Sequence, residues 1–231
     1  APIGVSFNAL TNYNESIGKD FVRVVSCNTT GLARTLHPIS QNYGIDNVQA
    51  VMVRRSGDPK DSDRGPLNSI EPVLNVPSHH GPDVQTVISY LNIQTMAVKV
   101  PTTIMHVHCI IAKLNKKPKV KDVLSLWEAT PRVNLLDGFL KNGETKIRNL
   151  PGTGEIMELA RDLSYRRGDL NQIAVWRDGV HVLEDKLYYY QAIHQESDVV
   201  PENIDAIRAM FSLESDNMKS IHKTNKALGI N

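Results

Sequence analysis

Hydrophobic positions along the chain alternate between strand-like and helix-like spacing. Apolar and β-branched runs predict strands at 5–10, 21–26, 48–53, 93–100, 105–114, 133–136, 173–176, 180–182 and 187–193. Apolar residues at three- and four-residue spacing predict helices at 29–43, 120–129, 155–165, 202–213 and 216–228. Asp178-Gly179 is a typical hairpin turn signal between two of these strands. Strands that follow one another along the chain, interleaved with helices, predict an α+β fold with a mixed or antiparallel sheet.

The pattern disappears between residues 56 and 82, where prolines interrupt a polar segment without a sustained period. Structureless loops of more than about 12–15 residues are uncommon and are usually functional or disordered. This segment carries Arg64, Ser78, His79 and His80, which are suited to binding anions. We therefore interpret it as a functional loop, and a solvated linker is the alternative.

Composition narrows the possible classes of protein. The 231 residues are 41% hydrophobic and carry a formal net charge of +1, so no global charge favours nucleic acid or a membrane surface. Two cysteines indicate no disulfide framework and suit a reducing cytoplasm. The apolar runs are far too short to span a bilayer. The chain starts at Ala1 and enters abruptly on an apolar run, which suggests a fragment.

Cys27 stands at the junction of a predicted strand and a predicted helix. The strand pattern stops there, and Asn28, Thr29 and Thr30 supply the chemistry of a helix N-cap. Ligands in open α/β sheets bind beyond the carboxyl ends of strands. Helix amides and the helix dipole lower the pKa of a thiol, in known cases to about 3.5–7.5. The sequence thus predicts an activated nucleophile, and the alternative is a small buried thiol.

A thiol nucleophile needs a base, and His106 and His108 are the best candidates. On one strand, both side chains point to the same face. A Cys–His pair that is distant in sequence is a recognised nucleophile arrangement. A metal pair is an alternative, but no third ligand is convincingly spaced nearby. A hydrogen-bonded structural histidine remains the other alternative.

Further groups in the sequence suit a phosphate. Arg54 and Arg55 end a predicted strand, and arginine gives bidentate hydrogen bonds to phosphate, which threonine hydroxyls and helix amides can supplement. Residues 194–198 follow another strand and precede a helix, so they either bind a ligand or cap that helix. Gly152-Thr153-Gly154 lacks the glycine pattern of a dinucleotide-binding turn.

Several motifs occur in a fixed order and together closely resemble archaeal-type (type II) phosphorylating glyceraldehyde-3-phosphate dehydrogenase. The resemblance extends from about Gly4 to the C-terminus. The motifs are Ser26-Cys27-Asn28-Thr29-Thr30-Gly31-Leu32, Val53-Arg54-Arg55, Pro77-Ser78-His79-His80-Gly81-Pro82-Asp83-Val84, Val100-Pro101-Thr102-Thr103, Met105-His106 and His194-Gln195-Glu196-Ser197.

The resemblance implies a role for each matching residue. Cys27 would be the catalytic nucleophile, and His106 the catalytic histidine that polarises the substrate and moves its proton. It also implies substrate contacts by Ser26, Asn28, His79 and His80, cofactor contacts by Arg55 and Gln195, and contact with an additional anion by Arg54. No residue is expected to bind a metal.

The resemblance further implies oxidation of glyceraldehyde 3-phosphate to 1,3-bisphosphoglycerate in glycolysis or gluconeogenesis, with inorganic phosphate and NAD or NADP. A cytoplasmic homotetramer is expected, with no nucleic-acid or membrane partner. Alternatives are a related cysteine-dependent aldehyde dehydrogenase with another phosphorylated or acyl substrate, and a non-catalytic interaction fragment.

The resemblance also implies a division of the chain. Residues 1–26 would be the last strands of a truncated nucleotide-binding domain, an incomplete Rossmann-like α/β unit. Residues 27–194 would form the catalytic domain, and residues 195–231 would be helices that pack back on the nucleotide-binding domain. The Lys- and Gly-rich excursion at 141–151 is expected to be a surface loop.

Overall fold

The computed structural model describes residues 4–56, 68–102, 105–136 and 170–230. Within these ranges, eight strands form one mixed sheet. They are β3 (Ile45–Arg55), β4 (Glu71–Val73), β5 (Ile93–Val100), β6 (His106–Leu114), β7 (Val133–Leu136), β8 (Ile173–Trp176), β9 (His181–Leu183) and β10 (Lys186–Ile193). Their order is β4-β5-β3-β6-β10-β8-β7, with β9 also paired to β10. The pairs β3/β5 and β7/β8 are parallel and the others antiparallel, which confirms the α+β prediction.

Helices cover one face of this sheet and enclose the main core. They are α1 (Cys27–Tyr43), α2 (His80–Gln85) and α3 (Val120–Glu128). Leu32, Leu36 and Ile39 on α1 are fully buried, as their helical spacing predicts. Trp127 on α3 is also fully buried, and its indole N–H donates to the Thr35 carbonyl at 3.0 Å. This contact fixes α3 against α1, next to the strands that carry the candidate site.

A second, smaller core joins the two ends of the chain. Here β1 (Val5–Phe7) and β2 (Val22–Val24) form a parallel pair that packs against α4 (Val200–Met210) and α5 (Asn217–Leu228). Phe7 and Tyr13 pack against Ala206, Ala209 and Ile221. The α5 helix begins with the Asp216 carboxylate accepting the Lys219 N–H at 2.9 Å, which satisfies one otherwise unpaired helix amide.

Buried ion pairs link this second core to the main one. Glu202 on α4 accepts hydrogen bonds from Arg34 on α1 at 2.8 Å and from Arg132 at 3.0 Å. Its other carboxylate oxygen accepts the Ala9 N–H at 2.7 Å. Arg132 also donates to Asp205 at 2.6 Å. All four charged side chains are at most 2% exposed, so they depend on one another, and on Arg208 beside Asp205, for their charge partners.

Two predicted connections were wrong. Residues 177–179 form a single 3-10 turn, and β8 and β9 both pair with β10 rather than with each other. The tight hairpin lies between β9 and β10 at Glu184 and Asp185, where Glu184 has a φ of +54°. The strands β1 and β2 are shorter than predicted and run parallel, so the segment between them crosses over instead of forming a simple turn.

The proline-rich segment contains structure that hydrophobic periodicity did not reveal. Within its described part, β4 is a short strand at the edge of the sheet, where Pro72 is tolerated, and α2 begins at His80. Arg64, Thr103, the 141–151 excursion and the predicted helix at 155–165 lie outside the described residues. Among the described residues, no helix has both the length and the apolar character needed to cross a bilayer.

Candidate active site

Cys27 is the first residue of α1, directly beyond the carboxyl end of β2. The helix cap differs from the prediction, because Ser26 rather than Asn28, Thr29 or Thr30 is the N-cap. The Ser26 hydroxyl accepts the Thr29 N–H at 3.3 Å, so those three residues already belong to the first turn. The Asn28 side-chain amide donates to the Cys27 sulfur at 3.6 Å.

The prediction of a lowered thiol pKa was wrong. Burial raises the pKa of Cys27 to about 12, and the carboxyl group of Asp198 adds to the effect. The backbone of Asn28 and the charges of Arg54 and Arg55 act in the opposite direction but do not outweigh burial. Burial also raises the pKa of Asp198 well above its usual value, which favours its neutral acid and weakens its repulsion of a thiolate. In this state Cys27 is therefore a protonated thiol.

His106 opens β6 and faces the buried side of the sheet. Its Nδ1 accepts the backbone N–H of Arg55 at 3.0 Å, so the proton of the neutral ring is on Nε2. Burial lowers the pKa of His106 to about 3, and the charges of Arg54 and Arg55 lower it further. The Gln195 side chain raises the pKa but does not outweigh these effects. Among the described residues, Nε2 makes no hydrogen bond of normal geometry, so His106 presents an available N–H donor.

The other candidate base, His108, uses both of its ring nitrogens. Its Nε2 lies 2.8 Å from the Asn28 Oδ1, and its Nδ1 lies 3.0 Å from the side-chain nitrogen of Gln191. Both rings point to the same face of β6, as predicted, but only His106 keeps a ring nitrogen without a partner. Of the two histidines, His106 is therefore the one able to contact a substrate.

His80 complements His106 with an available acceptor. The Thr95 hydroxyl donates to the Ser78 carbonyl, the Ser78 hydroxyl donates to Thr95, and the His80 Nδ1 lies 2.9 Å from the Ser78 hydroxyl. This order requires a proton on Nδ1 of His80 and a lone pair on its Nε2. That Nε2 is buried and has no hydrogen-bond partner within the described ranges. The neighbouring His79 ring lies 4.0 Å away, centroid to centroid.

His80 is held in its neutral form by burial, by the ring of His79 and by the charge of Arg54. Burial lowers its pKa to about 3, and the ring of His79 and the charge of Arg54 lower it further. His80 is consequently neutral at physiological pH.

Two arginines at the end of β3 hold the site together. Arg55 is 5% exposed and donates to the side-chain oxygen of Gln195 at 3.2 Å, and it forms an ion pair with Glu196. The charge of Arg54 acts on each of the site's buried titratable groups, namely Cys27, His80, His106 and His108. The structure therefore brings the thiol, the histidines and the cationic strand end into one neighbourhood.

The segment from His194 to Asp198 contacts Arg55 of the site, through Gln195 and Glu196, and does not cap a helix. The N-cap of α4 is Val199, which has no side chain suited to capping, and both Ser197 and Asp198 are buried. The capping alternative was therefore wrong.

Local sequence signals did not identify Thr95 or Gln191, and they placed Asp198 in the 194–198 segment without indicating its burial. Thr95 and Gln191 occupy inward positions on β5 and β10, between apolar neighbours that are two residues away. A polar side chain at an inward strand position must find a buried partner, which is the signal that could have identified both. Asp198 gives no comparable signal, because its burial depends on the packing of α4.

The described residues contain no group of three or more histidine, cysteine or acidic side chains arranged to hold a metal ion.

Comparison with known proteins identifies the family. The chain is 56% identical over 229 residues to glyceraldehyde-3-phosphate dehydrogenase of Methanobacterium bryantii and 52% identical over 229 residues to that of Methanothermus fervidus. It is 54% identical over 226 residues to that of Thermococcus kodakarensis. These matches cover 98–99% of this chain but only 64–65% of the relatives. Residues 26–179 match the family described as "Glyceraldehyde 3-phosphate dehydrogenase, C-terminal domain", and the chain therefore belongs to that family.

Proposed function

We propose that the chain carries the catalytic part of a phosphorylating glyceraldehyde-3-phosphate dehydrogenase, acting with NAD or NADP. The observation that carries the proposal is the convergence of Cys27, at the start of a helix, with the buried His106 and the arginines Arg54 and Arg55. Thiols at helix N-termini near cations are the usual setting of nucleophilic cysteines. The relatives that match almost the whole of this chain are named for the same activity.

Cys27 would lose its thiol proton to solvent and add as the thiolate to the aldehyde carbon of glyceraldehyde 3-phosphate. A C–S bond would form while the C=O π bond breaks, which gives a thiohemiacetal oxyanion. The carbonyl oxygen would then carry negative charge, and the Nε2–H of His106 is available to donate a hydrogen bond to it. A neutral imidazole serves this purpose, because it donates a hydrogen bond without giving up its proton early. Because the proton is fixed on Nε2, His106 is better suited to act as a hydrogen-bond donor and acid than as a base.

The substrate's remaining polar groups have partners of matching character. The lone pair on His80 Nε2 can accept a hydrogen bond from a substrate hydroxyl. Ser26, Asn28 and His79 are the other proposed substrate contacts, and Arg54 supplies positive charge for a phosphate group.

A bound dinucleotide would supply the hydride acceptor. As hydride leaves the reacting carbon, the oxyanion would become the carbonyl of a thioester on Cys27, and attack by inorganic phosphate would release 1,3-bisphosphoglycerate and return the thiolate. Arg55 and Gln195 lie beside His106, so they fit the reactive end of a dinucleotide better than its remote end. We assign the main dinucleotide-binding domain to the part of the relatives outside the match. In this proposal, residues 1–26 belong with that domain and residues 195–231 pack against it.

A homotetramer, located in the cytoplasm, is also part of the proposal. On the sheet face opposite the helices, Met96, Val51, Cys109 and Tyr190 form a row across adjacent strands. Met96 is 55% exposed and Tyr190 is 49% exposed. An apolar row of this kind supports contact with a second copy of the chain. A reducing compartment suits a mechanism that requires a free thiol, and both cysteines are free.

Replacement of the nucleophile tests the proposed function. In the intact protein, Cys27→Ser should abolish turnover of glyceraldehyde 3-phosphate while cofactor binding persists. The control is Cys109→Ser, because Cys109 lies on the opposite face of the sheet and should not affect turnover. Cofactor-dependent oxidation that continues in Cys27→Ser would refute the proposal.

The raised pKa of Cys27 favours a second candidate function, a non-catalytic interaction domain with an inert thiol. Iodoacetamide labelling at neutral pH separates the two candidates. Labelling no faster than that of free cysteine would support the inert thiol. A panel of aldehydes, each with and without inorganic phosphate, separates the proposed reaction from that of a related aldehyde dehydrogenase.

A further inference from the structure

A chain of buried hydrogen bonds leads away from the sulfur of Cys27 into the core. The Asn28 side-chain nitrogen donates to that sulfur at 3.6 Å, and its carbonyl oxygen lies 2.8 Å from Nε2 of His108. Asn28 is 3% exposed and His108 is fully buried. The thiol is thereby connected to a histidine that does not itself reach the substrate.

The chain continues beyond His108 through helix α1 and strand β10. Nδ1 of His108 lies 3.0 Å from the side-chain nitrogen of Gln191. The Gln191 oxygen accepts the Thr35 hydroxyl at 2.8 Å, and that hydroxyl lies 3.0 Å from the Tyr189 hydroxyl. Each of these side chains is at most 1% exposed, so water does not replace the partner of any of them.

With the amides of Asn28 and Gln191 oriented as in this structure, the donors and acceptors of the chain run in one direction. The Asn28 oxygen can only accept, so the proton of His108 must be on Nε2. Burial lowers the pKa of His108 well below its usual value, so the ring is neutral and Nδ1 has a lone pair. The side-chain N–H of Gln191 donates to that lone pair, and the side-chain oxygen of Gln191 faces the Thr35 hydroxyl. Every donor in the chain therefore points toward Cys27.

Gly31 makes this arrangement possible. A β-carbon at Gly31 would lie 3.1 Å from the Gln191 nitrogen and 2.8 Å from a methyl carbon of Ile193. The absence of a side chain lets α1 approach β10 closely enough for the hydrogen-bond chain to close.

We propose that His108 is a positioning residue for Cys27: it fixes the Asn28 amide so that its N–H, and not its oxygen, faces the sulfur. The N–H then stabilises the thiolate, because a hydrogen bond to an ionised acceptor is stronger than one to a neutral acceptor. The proposal rests on the proposed function only in taking Cys27 as the nucleophile. Reversal of the Asn28 amide would place an oxygen against the sulfur and would favour the thiol.

Other charged groups act on the same sulfur and have to be kept constant in a test. Asp198, from the segment before α4, and Arg54 and Arg55, at the end of β3, all influence Cys27. A substitution at His108 changes none of these groups. His106, which is next to His108 on the same face of β6, also stays in place.

The first experiment measures alkylation of Cys27 by iodoacetamide as a function of pH, with peptides resolved by mass spectrometry. In the intact protein, His108→Leu should slow the reaction about tenfold at each pH below the thiol pKa, the effect of one charge-assisted hydrogen bond. His108→Gln should largely restore the rate, because its side-chain N–H can replace Nε2–H. A free cysteine peptide, added at a known concentration, serves as the internal reference in every sample.

Ile110→Val is the matched control, because Ile110 is a buried neighbour on the same face of β6. It should leave the alkylation profile of Cys27 unchanged. Equal slowing in Ile110→Val and His108→Leu, or no rescue by His108→Gln, would overturn the proposal. Alkylation requires neither substrate nor cofactor, so this result does not depend on whether the protein is a dehydrogenase.

The second experiment needs no substitution. Nitrogen-15 NMR of histidine-labelled wild-type protein reports the tautomer of His108, which His108→Gln identifies by the loss of its signals. A proton on Nε2 is expected. A proton on Nδ1 would show that the hydrogen-bond chain runs in the opposite direction, and it would overturn the proposal even if His108→Leu failed to fold.

Discussion

Removal of the charge of Glu202 tests whether the buried ion network holds the two cores together. Glu202 accepts hydrogen bonds from Ala9, Arg34 and Arg132 and is 1% exposed. In Glu202→Gln, one oxygen becomes an NH₂ group, so at least one buried donor faces another donor. If the NH₂ group faces Ala9, that backbone N–H is left unpaired, and if it faces the arginines, their hydrogen bonds are lost.

The size of the destabilisation follows from the number of hydrogen-bond and charge partners that Glu202 serves. An unsatisfied buried donor costs about 1–3 kcal/mol. Arg34 also loses its carboxylate partner and keeps only the backbone carbonyls of Asn171 and Asp198. Breaking a buried ion pair costs about 3–5 kcal/mol in total. For a chain of this size, such a loss lowers the melting temperature by roughly 10 °C.

The assay is thermal and urea unfolding of the purified protein, with Glu71→Gln as the control. Glu71 pairs with Lys99 at 2.8 Å, but the two side chains are 49% and 37% exposed. The control should lose no more than about 1 kcal/mol of unfolding free energy. A loss in Glu202→Gln as small as that in the control would refute the reasoning.

The effect of Glu202 should also depend on pH. Burial alone would raise the pKa of Glu202, but Arg34 and Arg132 outweigh burial and hold it below 4.5. A lowered folded-state pKa contributes stability above the unfolded value and loses it as pH falls through the folded value. The difference between wild type and Glu202→Gln should therefore be complete at neutral pH and should shrink only below about pH 4.5.

Two further substitutions test the packing and charge around Cys27. Helix propensity alone predicts that Gly31→Ala raises the free energy of unfolding by about 1 kcal/mol. The added carbon would crowd Gln191 and Ile193, so urea unfolding should show no such increase. A stabilised variant would contradict the close approach of α1 to β10. Asp83→Asn should lower the melting temperature at neutral pH. Burial tends to raise the pKa of Asp83, but a threonine hydroxyl and Arg23 hold it below 3.8. The difference from wild type should therefore be complete at neutral pH and shrink as the pH falls below about 3.8, and a difference that does not shrink there would refute the assignment.

Much of the framework was predictable because its signals are local. The bounds of β5, β7 and β8 follow directly from runs of alternating or continuous apolar residues. The position of Cys27 at the start of a helix follows from the change of period at that residue. Boundaries failed where local signals were weak, as at β4, or ambiguous, as at the Asp178-Gly179 turn.

The sequence by itself determined the α+β class, the strand–cysteine–helix junction and the cysteine, histidine and arginine residues that the candidate site draws on. Only the tertiary structure decided the states of those residues. Burial by remote segments raises the pKa of Cys27 instead of lowering it. His106 and His108 hold their protons on Nε2, because Nδ1 of each accepts an N–H, from Arg55 and from Gln191. His80 holds its proton on Nδ1, because Nδ1 faces the Ser78 hydroxyl. Periodicity reports which face a side chain occupies, but a proton's position depends on neighbours that only folding brings within 3 Å.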